Sequence, residues 1–264
     1  MFRSGLLYGL RKEFPQKPWL GKMDPFRIFG HTYFVGTYQA SSHLIDTGEG
    51  LIMIDTGYAQ TAYLVMDSIY RLGFQPRDIK YIVNTHWHGD HTEATAAFAD
   101  LSGAKTLLGK EDAEKASKFF TPDILIEDGD TLTLGNVTLR FLHTPGHTKG
   151  TISFFYEDTD GENTYRLGSF GGAGLNTLVP GKYDFEGARE AYFASLERLK
   201  QERVDIFLGN HTWNNDTYGK YVAMQETGVN EFIDGELWGR FLEKYRCRLE
   251  AKVQEDAKKQ DEKQ

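Results

Sequence analysis

The chain has 264 residues, 40% hydrophobic and 26% charged, the proportions of a soluble globular protein with a sizeable core. A formal net charge of -8 with no basic block excludes a general polyanion binder, because neutralising phosphates needs clustered Lys and Arg; no nucleic-acid partner is expected. The single cysteine, Cys247, rules out an intramolecular disulfide, so a metal set has to be built from His and carboxylates.

The N-terminal stretch MFRSGLLYGLRKEFPQ has too short an apolar run for a signal peptide and no small-residue cleavage site. No segment reaches the length of a membrane span. The expectation is a soluble chain without a membrane partner, cytoplasmic as written and periplasmic or secreted if a leader precedes it. Short β-rich runs follow at Phe26–Phe29, Tyr33–Thr37, His43–Asp46 and Leu51–Ile54, with DTGEG as the turn between the last two. Residues 61–74 carry apolar side chains at helical spacing (Leu64, Val65, Ile69, Leu72), and Gly73 and Pro76 are placed to end that helix. The continuous apolar run Ile79–Val83 reads as a buried strand, and EATAAFA beyond it suits a helix start.

In the second half, Thr131–Leu134 and Val137–Leu142 alternate like paired strands around the turn Gly135-Asn136. Thr151–Tyr156 and Val204–Leu208 are further strands, and residues 186–201 form a helix with Ala188, Tyr192, Leu196 and Leu199 on one stripe. Strands then a helix, twice over, predict a two-layered sheet core with helices outside. A last amphipathic helix spans Leu237–Val253, and the charged tail from about residue 254 is expected to be solvated and poorly ordered. No linker-like stretch divides the chain, so residues 1–264 are expected to form one domain.

Three of the eight histidines fall in H86-W-H88-G-D90-H91, directly after the strand at Ile79–Val83. Imidazole is the commonest protein ligand for zinc, and Asp adds a hard oxygen. In extended chain, residues two apart point the same way, so His86 and His88 can share one ion. Asp90 and His91 follow Gly89, where the backbone can turn toward a second ion. The ordinary alternative is an exposed histidine-rich loop. Among the other histidines, His31 and His43 read as strand or loop residues and His143 as structural, while Asp55 in IDTG is a candidate to hydrogen-bond a ligand His.

HxHxDH at this place, with T144-P-G-H147-T, resembles the metallo-β-lactamase superfamily. The resemblance implies an α/β fold, the αββα sandwich of two mixed sheets packed together with helices on both outer faces. It further implies two zinc ions per chain, one held by His86, His88 and His147, the other by Asp90, His91 and His211 of L208-G-N-H211. Many members place a metal-bridging Asp between the PGHT motif and the last His. The matching stretch here, Y165-R-L-G-S-F-G-G, offers Gly168 and Ser169 and no carboxylate, which is similar to the third subclass of metallo-β-lactamases.

That resemblance implies a di-zinc hydrolase that opens the β-lactam amide of a small-molecule substrate with a metal-bound hydroxide, and with it antibiotic resistance. Asp90 and Ser169 would be catalytic, with Ser169, Gly171 and Asn214 binding substrate. Relatives often carry a second hydroxyl residue where Gly171 stands, and T212-W-N-N replaces a Pro- and Ser-containing stretch. The rival expectations are a lactonase or glyoxalase-II-like thioesterase on the same metals, and a redox or non-enzymatic role with iron.

Overall fold

The computed structural model describes residues 13, 14 and 16–262; the first twelve residues, on which the leader reading rests, lie outside them. Twelve strands are seen among the described residues: β1 (Phe26–Phe29), β2 (Thr32–Phe34), β3 (His43–Asp46), β4 (Leu51–Ile54), β5 (Ile79–Asn84), β6 (Lys105–Gly109), β7 (Ile124–Ile126), β8 (Thr131–Leu134), β9 (Val137–His143), β10 (Ile152–Thr159), β11 (Thr164–Ser169) and β12 (Ile206–Phe207). The α-helices are α1 (Ala62–Arg71), α2 (Gly89–Thr92), α3 (Thr95–Ser102), α4 (Ala113–Ala116), α5 (Ala188–Leu199), α6 (Thr217–Thr227) and α7 (Leu237–Asp261).

The strands form two mixed sheets. One runs β1-β2-β3-β4-β5-β6-β7, antiparallel to β4 and parallel beyond it; the other runs β12-β11-β10-β9-β8, antiparallel except for β11–β12. Strand β4 shows why each sheet is buried on both faces. Side chains alternate across a strand, so Ile52 and Ile54 enter the cluster between the sheets, with Phe34, Val83, Phe141, Phe154 and Leu167. Leu51 and Met53 point the other way, to Val65 and Ile69 of α1 and Phe98 of α3. On the far side Leu142 and Phe155 meet Tyr192 and Leu196 of α5 and Trp238, Phe241 and Leu242 of α7. Full burial of one such side chain contributes roughly 1.5–3 kcal/mol. A one-residue slip of β4 would exchange its two faces, so the register is strongly specified. The result is the expected αββα sandwich.

The turn between β8 and β9 has a clear chemical basis. Gly135 has φ +50, and a Cβ there would lie 2.1 Å from the carbonyl oxygen of Thr47. Only glycine fits that approach. The charged tail departs from expectation, because α7 continues through Asp261. Val253 packs on the outer cluster, Asp256 pairs with Arg189 and Lys259 with Glu255. Lys258 and Lys259 in the last turn also complement the negative end of the helix dipole. Tertiary contacts thus hold a segment whose composition alone suggests a coil.

Candidate metal centre

Strand β5 delivers the HxHxDH segment to one edge of the sandwich. His86 follows its last residues; His88, in extended conformation, precedes α2, which turns Asp90 and His91 back toward the strand end. His147 comes from the loop after β9, and His211 from the loop after β12. The structure brings all six together as two groups, His86 with His88 and His147, and Asp90 with His91 and His211. Within each group the possible ligand atoms all lie within 4.8 Å of one another. The groups are adjacent, with the rings of His86 and His91 centred 4.2 Å apart.

Hydrogen bonds aim the rings. His147 Nδ1 donates to the carbonyl of Gly174 at 2.8 Å, and His211 Nδ1 to that of Gln39 at 2.6 Å. His91 Nδ1 lies 2.7 Å from Asp55 Oδ2, the bond to a ligand histidine for which Asp55 was a candidate. In each of the three, the Nδ1 proton is committed to an oxygen, which leaves Nε2 as a lone-pair donor in the neutral ring. Asp55 reaches its position through a left-handed backbone, φ +53, and also accepts from the amide and hydroxyl of Thr85 at 2.7 and 2.8 Å.

These donors fit metal ions. His91 Nε2 is buried and has no hydrogen-bond partner, a costly arrangement for a polar atom unless an ion completes it. His86 Nε2 and His88 Nδ1 lie 3.1 Å apart. Tetrahedral zinc, with Zn–N of about 2.0–2.1 Å, separates its ligand atoms by roughly 3.3 Å. Burial keeps the first group neutral and ready to ligate: it pushes His147 down to about 3, His88 to about 4 against the pull of Asp90, and His86 well below its ordinary value. His91 goes the other way. Burial opposes its charge, but the Asp90 and Asp55 carboxylates outweigh that and raise it. Burial likewise opposes the charge of Asp90, yet His91 and His211 hold its carboxyl below the usual range.

A third carboxylate ties the two loops of the first group together. Asp112 is fully buried; its Oδ2 accepts from the amide of Trp87 at 3.0 Å and from Thr148 Oγ1 at 2.6 Å, and its Oδ1 from the amide of Gly150 at 2.6 Å. Trp87 lies between His86 and His88, and Thr148 follows His147. Burial pushes the Asp112 carboxyl up to about 6, against those hydrogen bonds. Nothing in the local sequence around Asp112 marks this role, since its partners are 25 to 38 residues distant.

A cavity of about 970 Å³ opens on the second group. Its lining includes Asp90, His211, Tyr58, Trp213 and Asn214, with Leu175 and Val179 on one wall and residues of α7 on another. Trp213 stacks on His211 with ring centres 4.3 Å apart. Asn214 Oδ1 accepts the His211 amide at 2.9 Å, and its Nδ2 donates to Tyr245 of α7 at 3.2 Å. Ser169 and Gly171, expected as substrate contacts, are not among the residues that line this cavity. Ser169 is buried at the end of β11, paired across to Phe154. Gly171 is pressed against the sheet, where a Cβ would lie 1.9 Å from the carbonyl oxygen of Ile152, and its own carbonyl accepts from Asn210. Of the remaining histidines, His31 bonds Asp158, His43 is buried beside Phe34, and His143 Nε2 holds the carbonyl of Lys149 at 2.7 Å. All three stand outside the two groups.

Comparison with known proteins agrees with this geometry. The model of the metallo-β-lactamase superfamily matches residues 35–211, which run from just after β2 to the last histidine of the two groups. A native metallo-β-lactamase from Legionella gormanii superposes with a TM-score of 0.84 at 27% identity, covering 90% of this chain and 98% of that one. A subclass B3 metallo-β-lactamase of Bradyrhizobium japonicum gives 0.83 at 28% identity, covering 92% and 98%. Among curated proteins, a hydroxyacylglutathione hydrolase of Hyphomonas neptunium is 28% identical over 158 residues, 59% of this chain and only 57% of that relative's length. With the family model spanning well over half of its residues and both sheets in place, the chain belongs to the metallo-β-lactamase superfamily.

Proposed function

We propose that this protein hydrolyses β-lactams, with zinc ions held by His86, His88 and His147 and by Asp90, His91 and His211. The observation that carries this reading is the make-up of the two groups. One has three imidazoles, the other two imidazoles and Asp90, and among the described residues no further carboxylate joins either. Solved β-lactamases that align over almost their whole length support it as well. Zinc in such sites lowers the pKa of bound water to about 7 and polarises a carbonyl.

The chain's own residues supply the rest. Asp90 lines the cavity and is kept ionised by its imidazole neighbours, so it is placed to accept a proton. Trp213 and Tyr58 wall the cavity, and Asn214 holds the backbone of His211 while lining the same space. A thioesterase is the second reading, favoured by the curated relatives named hydroxyacylglutathione hydrolases.

The test is a panel assay of the zinc-loaded protein with a penicillin, a carbapenem, an acyl-homoserine lactone and an acyl thioester, alongside metal analysis. Ring opening of a β-lactam that disappears in His88→Ala and Asp90→Ala is expected. Thioester or lactone turnover without β-lactam turnover overturns the proposal.

A further inference from the structure

The wall of the cavity contributed by α7 presents Lys244, Arg248 and Lys252. Their spacing of four residues places them on one face of the helix, spread over about 12 Å at a rise of about 1.5 Å per residue. Three other cations of the same helix are engaged in ion pairs: Arg240 with Asp234 and Glu236, Arg246 with Glu197 and Glu250, and Lys259 with Glu255. Lys244, Arg248 and Lys252 have no ion pair within 4 Å among the described residues. Glu255, the acidic residue of this wall, pairs with Lys259 and also feels the charge of Lys252.

The stripe is also fixed relative to the metal centre. The Arg248 guanidinium sits 5.1 Å from the centre of the Tyr245 ring, Tyr245 accepts from Asn214, and Asn214 holds the amide of His211. A protein of net charge -8 therefore gathers three cations against one carboxylate, Glu255, along the α7 side of the cavity that holds Asp90 and His211. Low-dielectric walls focus such a field on a ligand inside. Leu175, Val179, Tyr58 and Trp213 offer apolar surface in the same cavity.

We propose that Lys244, Arg248 and Lys252 form an anion-binding subsite that selects extended substrates with an apolar body and a carboxylate on the part that is not hydrolysed, remote from the scissile bond. For the hydrolysis itself this rests on the β-lactam reading, and it narrows that reading to substrates with a second carboxylate on the side chain. A compact monoanion would engage only one end of the stripe. A diacid would bridge two of its cations, with an affinity that falls as salt screens the pair.

Two measurements on the zinc-loaded protein test this. Calorimetry compares suberate, an eight-carbon diacid, with octanoate, the monoacid of the same length. The parent is expected to bind suberate at least tenfold more tightly, and the combined Lys244→Gln, Arg248→Gln, Lys252→Gln variant is expected to lose that preference with its melting temperature intact. Lys258→Gln, a change on the same helix outside the cavity lining, keeps the preference. Kinetics then compares a cephalosporin carrying an adipoyl side chain with its side-chain methyl ester; a ratio of kcat/KM above ten in the parent is expected to fall to near one in the triple variant. Equal binding of the two acids by the parent, or a preference that survives in the triple variant, overturns the subsite. A suberate preference that the triple variant loses, with neither cephalosporin hydrolysed, refutes the β-lactam reading and leaves the subsite standing.

Discussion

Asp112 and Thr148 are joined by a buried 2.6 Å hydrogen bond, and through it the loop carrying His147 is tied to the segment carrying His86 and His88. Replacing Asp112 by Ala would strand the Trp87 and Gly150 amides without an acceptor and leave the Thr148 hydroxyl only Thr151 Oγ1. Hydrogen bonds to charged groups contribute about 1.5–3 kcal/mol each, with strong overlap among shared partners. A loss of roughly 3 kcal/mol in chemical denaturation is expected, with weaker zinc binding at the three-histidine group. Unchanged zinc affinity in a folded Asp112→Ala protein would rule out the tie.

Asp55 fixes the tautomer of His91 through the 2.7 Å bond to Nδ1. Asp55→Asn keeps the left-handed backbone, which Asn tolerates, but halves the acceptor capacity and removes the charge. Outer partners of this kind typically change metal affinity by about 10- to 100-fold. Competition with a chromogenic chelator should show that loss for one zinc of two; equal loss at both would contradict the assignment of Asp55 to the His91 group.

His43 gives the fold an acid-sensitive element away from the metal centre. Burial pushes it down to about 3 from 6.5, so the folded protein holds it neutral while the unfolded chain protonates it. The unfolded state therefore binds more protons below pH 6.5, and stability falls as pH drops from 6.5 toward 3. At about 1.4 kcal/mol per pH unit, the contribution lost between pH 7.5 and pH 5 is on the order of 2 kcal/mol. Urea denaturation of the parent and His43→Leu at both pH values checks this: the variant should lose less stability than the parent.

Zinc should stabilise the fold. The four rings of His86, His88, His91 and His147 crowd at 4.2–4.8 Å between the centres of contacting pairs, and His91 Nε2 has no hydrogen-bond partner. A ligand bound only by the folded state adds about 4 kcal/mol at a thousandfold excess over Kd. Chelator-treated protein is expected to melt at a lower temperature and to recover on adding zinc. A melting temperature indifferent to both treatments would contradict the assigned ligand set.

Ser169 tests the cavity description. Because it is buried and does not line the cavity, Ser169→Ala is expected to alter kcat/KM by less than about threefold. A larger loss with KM raised and kcat kept would return it to the substrate contacts.

Several parts of this protein were legible without the fold. The HxHxDH segment pointed to a candidate metal centre because its ligand-type side chains are local, and PGHT with the last His joined it through the family resemblance. Strands β1, β3, β4, β5, β8 and β9 were visible because apolar runs and Gly-rich turns are short-range signals. Strand β7 was not: its Ile124 and Leu125 are exposed at the sheet edge, so it carries no burial pattern. Helix α6 buries only Thr217 fully and sets Tyr218, Tyr221 and Met224 partly buried on the core, a weak burial pattern, while the end of α7 depends on ion pairs with Arg189 and within its own last turns. Tertiary structure alone decided which carboxylates organise the centre, because Asp112 meets Trp87 and Gly150 across 25 and 38 residues. It also decided that Ser169 and Gly171 are packed away from the cavity and that Lys244, Arg248 and Lys252 face it. Each of those outcomes depends on how distant segments approach one another, and local sequence encodes spacing along the chain, not proximity between its parts.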